Sequence, residues 1–241
     1  MTLIQLLIFQ FIAHILTDYT FQNDKKATDK NKNGFKSKFL KWHILIMFLT
    51  SWLLSFQLKF IFASLLIAIT HWLIDGFKPK LNSYKYLGKY SFYIDQIAHL
   101  VILFFIVLLH NRIFEIHSYI DFIINTKYLL LFTAFLLTAK TSNIFIKEIF
   151  KVWEIKIDTQ KDDELLKAGR LIGILERWLI LVLIFVGQFT AVGFLIAAKS
   201  ILRYNTKNEN GFNKTEYVLI GTMLSFGIAI VIGFLVSNYK N

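Results

Sequence analysis

Residues 92–110 read FYIDQIAHLVILFFIVLLH, and this stretch decides the fold class. It holds no Lys or Arg and a single acid, Asp95, and every residue from Leu100 to Leu109 is apolar. A run of this kind approaches the roughly 20 residues that cross a hydrocarbon core about 30 Å thick, so it reads as a membrane-spanning helix. Working outward, further apolar blocks occupy 2–22, 43–57, 60–75, 127–150, 171–198 and 216–237. The expected fold is all-α: a polytopic integral membrane helical bundle with about seven spanning or re-entrant segments. The blocks at 43–57 and 60–75 are short for a span and read as paired, tilted or re-entrant helices. The block at 171–198 is long, and Gly187-Gln188 breaks it.

Composition agrees. The 241 residues are 56% hydrophobic and 18% charged, against roughly 45–50% and about 25% in soluble domains, which argues against an ordinary soluble fold. With no cysteine, disulfides, thiolate ligands and a Cys nucleophile are excluded, so metal chemistry must rest on His, Asp and Glu. The net charge of +11 would suggest nucleic acid in a soluble protein, but the basic stretches lack the interleaved aromatics of a stacking platform. Loop topology explains it instead. Lys25, Lys26, Lys30, Lys32, Lys36, Lys38 and Lys41 separate the first two blocks, and 76–91 and 151–170 form further basic loops. The intervening connections hold Lys59 and Arg112 alone. This alternation predicts that the first, third and fifth loops face the cytoplasm and the N-terminus faces out. The same basic loops are suited to anionic lipid headgroups. Nucleic acid is not an expected partner, and a homo-oligomer remains open. The N-terminus lacks a basic n-region and a small-residue cleavage site, so it reads as a retained span. No repeat or Pro-rich linker divides the chain, which reads as one membrane domain with a polar-site half, 1–110, and a C-terminal helical half, 127–241.

Ionisable residues within spans are costly, roughly 2.5–3.5 kcal/mol near the centre on insertion scales, and usually face a partner or cavity. Three pairs stand out: His14 and Asp18 in HILTD, His71 and Asp75 in HWLID, Asp95 and His99 in DQIAH. Each is spaced i, i+4, which stacks both side chains on one helix face. The spacing recurs in HSYID, at His117 and Asp121, on the opposite side, so spacing alone is weak. Depth is stronger evidence. The first and third blocks end in their pairs, whereas the second opens with His43 and the fourth with its pair. Alternating passes therefore bring all seven groups to one level. Four imidazoles and three carboxylates there would suit one or two divalent transition-metal ions, Zn, Mn or Fe, better than Ca or Mg. The alternative is that each carboxylate fixes an imidazole tautomer and the pairs tie helices together.

Gln22, Gln96 and Lys78 lie near the same level. Further on, GRLIGILER places Arg170, Glu176 and Arg177 at a helix entrance, and AAKSILR adds Lys199. Arg there would clamp a phosphate by two-pronged hydrogen bonds; an ion pair with Glu176 is the equal alternative. No Walker loop, dinucleotide fingerprint, GxSxG elbow or kinase set is present.

Taken together, His14, Asp18, Gln22, His71, Asp75, Lys78, Asp95-Gln96 and His99, followed by GRLIGILER, AAKSILR and EYVLIGTMLS, resemble a bacterial inner-membrane family catalogued as domain of unknown function 3307. The resemblance implies a multi-span fold in the inner membrane and brings no established reaction. A looser likeness is to membrane-bound metal-dependent hydrolases, which pair a His-Arg with a later Thr-His. Thr70-His71 matches that pattern, but Ile44 follows His43.

The expected function is a metal-dependent hydrolase at the cytoplasmic interface, acting on a phosphoester of a lipid or amphiphile. His14, Asp18, His71, Asp75, Asp95 and His99 would be metal ligands and His43 a further ligand or acid/base. Lys78, with Arg170 or Arg177, would neutralise phosphate. A divalent-cation or proton-coupled transporter is the rival class, and a structural or regulatory subunit the third.

Overall fold

The computed structural model describes residues 1–114, 124–155, 163–204 and 212–239, with the side chains of 163–167, 202–204 and 212–216 outside the description. His117 and Asp121 therefore fall outside the described residues. Every regular element among the described residues is helical. Among the described residues, five segments are long and apolar enough to cross a membrane: Leu3–Thr20, Leu58–Ser83, Gly88–Ile113, Thr126–Val152 and Tyr217–Ser237. The expected number was about seven; Lys38–Ser55, which opens with charged residues, is not among these five. Large side chains such as Phe62, Leu65, Ile97 and Phe105 are exposed on the apolar helices. In lipid this is the ordinary solvent-facing surface, and the protein is a membrane protein.

The chain divides into two compact units, Met1–Leu129 and Leu130–Asn241. The first begins with α1 (Leu3–Ile15), opened by a capping box in which Thr2 Oγ1 accepts from Gln5 N and Gln5 Oε1 accepts from Thr2 N. A π-helical turn, Leu16–Thr20, follows and carries Asp18. Such wide turns are rare and often sit at functional sites. Next come α2 (Asp24–Asn33), α3 (Lys38–Ser55), α4 (Ile61–Ser83) and α5 (Ser91–Ile113).

The run of lysines expected as a loop is thus partly a helix. Asn23 Oδ1 accepts from Lys26 N to start α2, and Gly34 ends it at φ +50°. Such a backbone favours glycine, and a Cβ there would lie 2.4 Å from Gly76 O on α4. Phe35, in the same turn, packs edge-on against Trp72 and Phe77. The contact fixes α2 against α4. In Gly34→Ala, backbone strain and overlap together should lower stability by about 1–3 kcal/mol. Thermal denaturation and proteolytic cleavage within 24–36 would register it; an unchanged midpoint and cleavage pattern would contradict it.

Leu6, Met47, Phe60, Ile67, Leu103 and Val107 form the apolar core of this unit. Apolar burial gives little drive between helices in lipid, so packing and interhelical hydrogen bonds matter more. Gln10 Nε2 donates to Ser51 O at 2.9 Å, Ser51 Oγ donates back to Gln10 Oε1 at 2.6 Å, and Ser51 also reaches Ser64 Oγ at 3.2 Å. These bonds join α1, α3 and α4.

The second unit takes up the end of α6 (Thr126–Leu136) and then α7 (Ser142–Val152), α8 (Asp163–Phe185), α9 (Phe189–Tyr204) and α10 (Phe212–Ser237). The long apolar block breaks where expected, with Gly187 at φ +80° between α8 and α9. A second break, Leu137–Thr141, has Ala139 at φ −76° and ψ −119° and frees backbone carbonyls. Arg177, only 1% exposed, satisfies them. Its Nε donates to Thr138 O and Nη2 to Ala139 O and Asn143 Oδ1, while Nη1 donates to Ser225 Oγ. In Arg177→Met the carbonyls lose buried donors at roughly 1–3 kcal/mol each. The thermal midpoint should drop while metal content stays unchanged; an unaltered midpoint would contradict the assignment.

Candidate metal centre

The first unit assembles its site from five helical segments. The π turn presents Asp18, α3 presents His43 one turn from its start, α4 presents His71 and Asp75 one turn apart, and α5 presents Asp95 and His99 likewise. His14 comes from the last turn of α1. All seven are buried, each at most 4% exposed. The structure therefore brings together every His and Asp predicted for the centre.

The tightest part has four members. His43 Nε2 lies 3.1 Å from Asp18 Oδ1 and 3.3 Å from Asp75 Oδ2. His71 Nε2 lies 3.2 Å and 3.4 Å from the same two oxygens, and the two Nε2 atoms are 3.1 Å apart. Protons alone satisfy this poorly. Each Nε2 carries at most one hydrogen, so two hydrogens would have to serve five contacts. A tetrahedral ion with bonds of about 2.0–2.1 Å, by contrast, sets its donors about 3.3 Å apart. The five separations lie around that value.

Beyond this knot, His71, Asp75, Asp95, His14, Asp18 and His99 form further groups whose donor atoms lie within 4.8 Å of one another: His14 with Asp18 and His71, and Asp75 with Asp95 and His99. Asp75 Oδ1, Asp95 Oδ1 and both ring nitrogens of His99 are buried without a hydrogen-bond partner. Buried polar atoms are ordinarily paired, and a metal ion would occupy these. The residues fit a divalent ion, and the second group brings a further set of donor atoms beside the first. The His71 and His99 rings lie 3.9 Å apart, so the two groups are continuous.

Two ammonium groups border the donors. Lys78, 8% exposed, holds Asp95 Oδ2 at 2.7 Å. Lys30 was not predicted. From α2 it reaches Asp75 Oδ2 at 2.8 Å and His43 Nε2 at 2.9 Å, and it is 2% exposed. Burial works against its charge, but Asp75 and Asp18 outweigh that and hold its pKa above the ordinary lysine value. It stays protonated at neutral pH. Gln96 was expected only as a neighbour; it is a hub. Its Nε2 donates to Asp18 Oδ2 at 3.1 Å and Asp95 Oδ2 at 3.2 Å, and its Oε1 accepts from Tyr19 OH at 2.5 Å and lies 3.2 Å from His14 Nε2. Gln22 donates to Asp18 O. No spacing rule points to Tyr19 or Lys30.

Arg170 and Arg177 belong to the second unit. Arg170 is exposed near the start of α8, and Arg177 is engaged at the α6–α7 break. Glu176 pairs with Lys199.

A family model described as a protein of unknown function, DUF3307, matches residues 6–131. The match contains all seven His and Asp residues together with Lys30, Lys78 and Gln96, and stops short of the motifs in α8, α9 and α10. No curated protein and no solved structure matches the chain.

Proposed function

The chain belongs to this family of unknown function, DUF3307, and from that premise we propose that its matched region is a divalent-metal centre that hydrolyses a phosphoester of a membrane lipid or other amphiphile. The observation that carries the reading is the set of five separations of 3.1–3.4 Å among His43, His71, Asp18 and Asp75. These four would hold the ion, Zn, Mn or Fe by donor chemistry. Asp95, His99 and His14 would hold a second or complete the first. When bound, such an ion polarises a phosphoryl oxygen and eases loss of a proton from water.

The chain's own groups supply the rest. Lys30, against Asp75 and His43, and Lys78, against Asp95, would offset phosphate charge. Gln96, tied to both Asp18 and Asp95, fixes the orientation of the two carboxylates, as outer partners of ligands do. In the overall change a water oxygen bonds to phosphorus, the ester P–O bond breaks, and the departing alcohol keeps the bonding pair and takes a proton. In the membrane, the basic 24–41 segment would face the cytoplasm and anionic headgroups, with the N-terminus outside the inner membrane.

Turnover of phosphate mono- and diesters by detergent-purified protein tests this. Release of phosphate or alcohol that stops with chelator and returns with Zn, Mn or Fe is expected. Absence of turnover across both ester classes, with metal present, would overturn hydrolysis. One observation favours a second reading: Lys30 and Lys78 already neutralise Asp75 and Asp95, as a purely structural helix tie would require. That reading predicts no retained metal. Transport instead predicts ion flux in proteoliposomes, normally through a site reachable from both faces.

A further inference from the structure

We propose that the cleft between α4 and α5 receives one hydrocarbon chain of an anionic membrane phospholipid and delivers its phosphate to Lys78 and Asp95. This substrate assignment rests on the phosphoester reading above. The cleft has a volume of about 350 Å³, within the roughly 300–1,000 Å³ of small-molecule sites. Leu73, Phe77, Leu81, Ile94 and Ala98 line it, and Lys78 and Asp95 are among its residues.

Three observations select the occupant. First, both helices fall within spans long and apolar enough to cross the membrane. Leu73, Phe77 and Ile94 are exposed at 39%, 57% and 37%. The mouth is therefore apolar surface on two spanning segments, through which an alkyl chain would enter sideways from the bilayer. Second, a plain groove between spans offers only apolar wall, whereas this one contains an ion pair that is nine-tenths buried, Lys78 Nζ to Asp95 Oδ2 at 2.7 Å. Donor atoms of Asp95, Asp75 and His99 lie within 4.8 Å of one another. The apolar cleft is thus continuous with the proposed chemistry.

Third, charge selects the headgroup. The carboxylates of Asp18, Asp75 and Asp95 outnumber by one the ammonium groups of Lys30 and Lys78 that border them, and the divalent ion proposed above would reverse that excess. An anionic phosphate complements that site, whereas a zwitterionic head brings a second cation beside Lys78.

The test uses full-length protein in proteoliposomes containing phosphatidic acid with a photoactivatable diazirine on one acyl chain. After irradiation, labelled peptides are mapped by mass spectrometry. Labelling should concentrate on residues 73–81 and 94–98, be competed by unlabelled phosphatidic acid and not by phosphatidylcholine, and fall several-fold in Ala98→Trp or Ile94→Trp. Metal content should be unchanged in both variants. Label spread evenly over the apolar helices, equal competition by both lipids, or label indifferent to either tryptophan would overturn the proposal. The competition arm uses unaltered protein, so it decides even where a variant fails to fold. The two readings separate cleanly. Selective labelling with metal bound but no turnover retains the lipid cleft and removes hydrolysis; turnover of a soluble phosphoester with unselective labelling does the reverse.

Discussion

His71→Ala protein is expected to purify without its metal ion and without phosphoester turnover. His71 Nε2 touches all three other members of the tightest donor set, at 3.1–3.4 Å, and its ring packs on His99. Loss of a partner outside the ligand set typically weakens metal affinity about 10–100-fold; removal of a central donor should exceed that. The substitution also deprives Asp18 and Asp75 of a buried partner. Removing one side of a buried charged contact costs roughly 3–5 kcal/mol, so the thermal midpoint should fall as well. Elemental analysis and denaturation on the same sample check both. Unchanged metal content would remove His71 from the centre, and a stable variant with full turnover would remove it from function altogether.

Lys30→Met should behave differently. The Lys30 ammonium lies within 3 Å of two donors that would hold the ion, Asp75 Oδ2 and His43 Nε2. At that range a dication and an ammonium repel each other. Methionine keeps the length of the side chain and removes the charge, so metal should be retained and bound more tightly. Turnover should nevertheless fall about 10²–10³-fold, the typical effect of deleting one preorganised group that stabilises transition-state charge. Isothermal titration with the metal alone, together with turnover on the same preparation, separates the two effects. Metal lost along with turnover would make Lys30 a structural support; unchanged turnover would remove it from the chemistry.

How far these features can be read from the sequence depends on the range of the interaction that fixes each. The spans are legible because ten consecutive apolar residues, as in Leu100–Leu109, have few stable environments other than lipid or a buried core. Convergence of the His–Asp pairs is legible because i, i+4 spacing fixes a helix face and chain reversal fixes the end at which each pair sits. Lys30 escapes this logic. It is one of seven lysines in a polar stretch, and α2 has no apolar stripe to mark which side faces inward. Its burial follows from a turn in which Gly34 and Phe35 pack on α4 around Gly76, a contact between segments 42 residues apart. Arg177 shows the same limit from the other side. Its position in GRLIGILER suggests phosphate, yet its donors close a helix break at Leu137–Thr141 that no Gly or Pro announces. Gln96 is adjacent to Asp95 in sequence, and its role as a bridge between α5 and the π turn becomes visible only once Asp18 and Tyr19 are placed opposite it.

X-ray absorption at the Zn, Mn and Fe edges of wild-type protein purified without chelator tests the metal centre most directly. A tightly bound ion is expected, with a nitrogen and oxygen shell at about 2.0–2.2 Å if the metal is zinc, imidazole scattering beyond it and no sulfur. Protein that carries no such ion, or that holds metal without imidazole in its shell, would contradict this expectation.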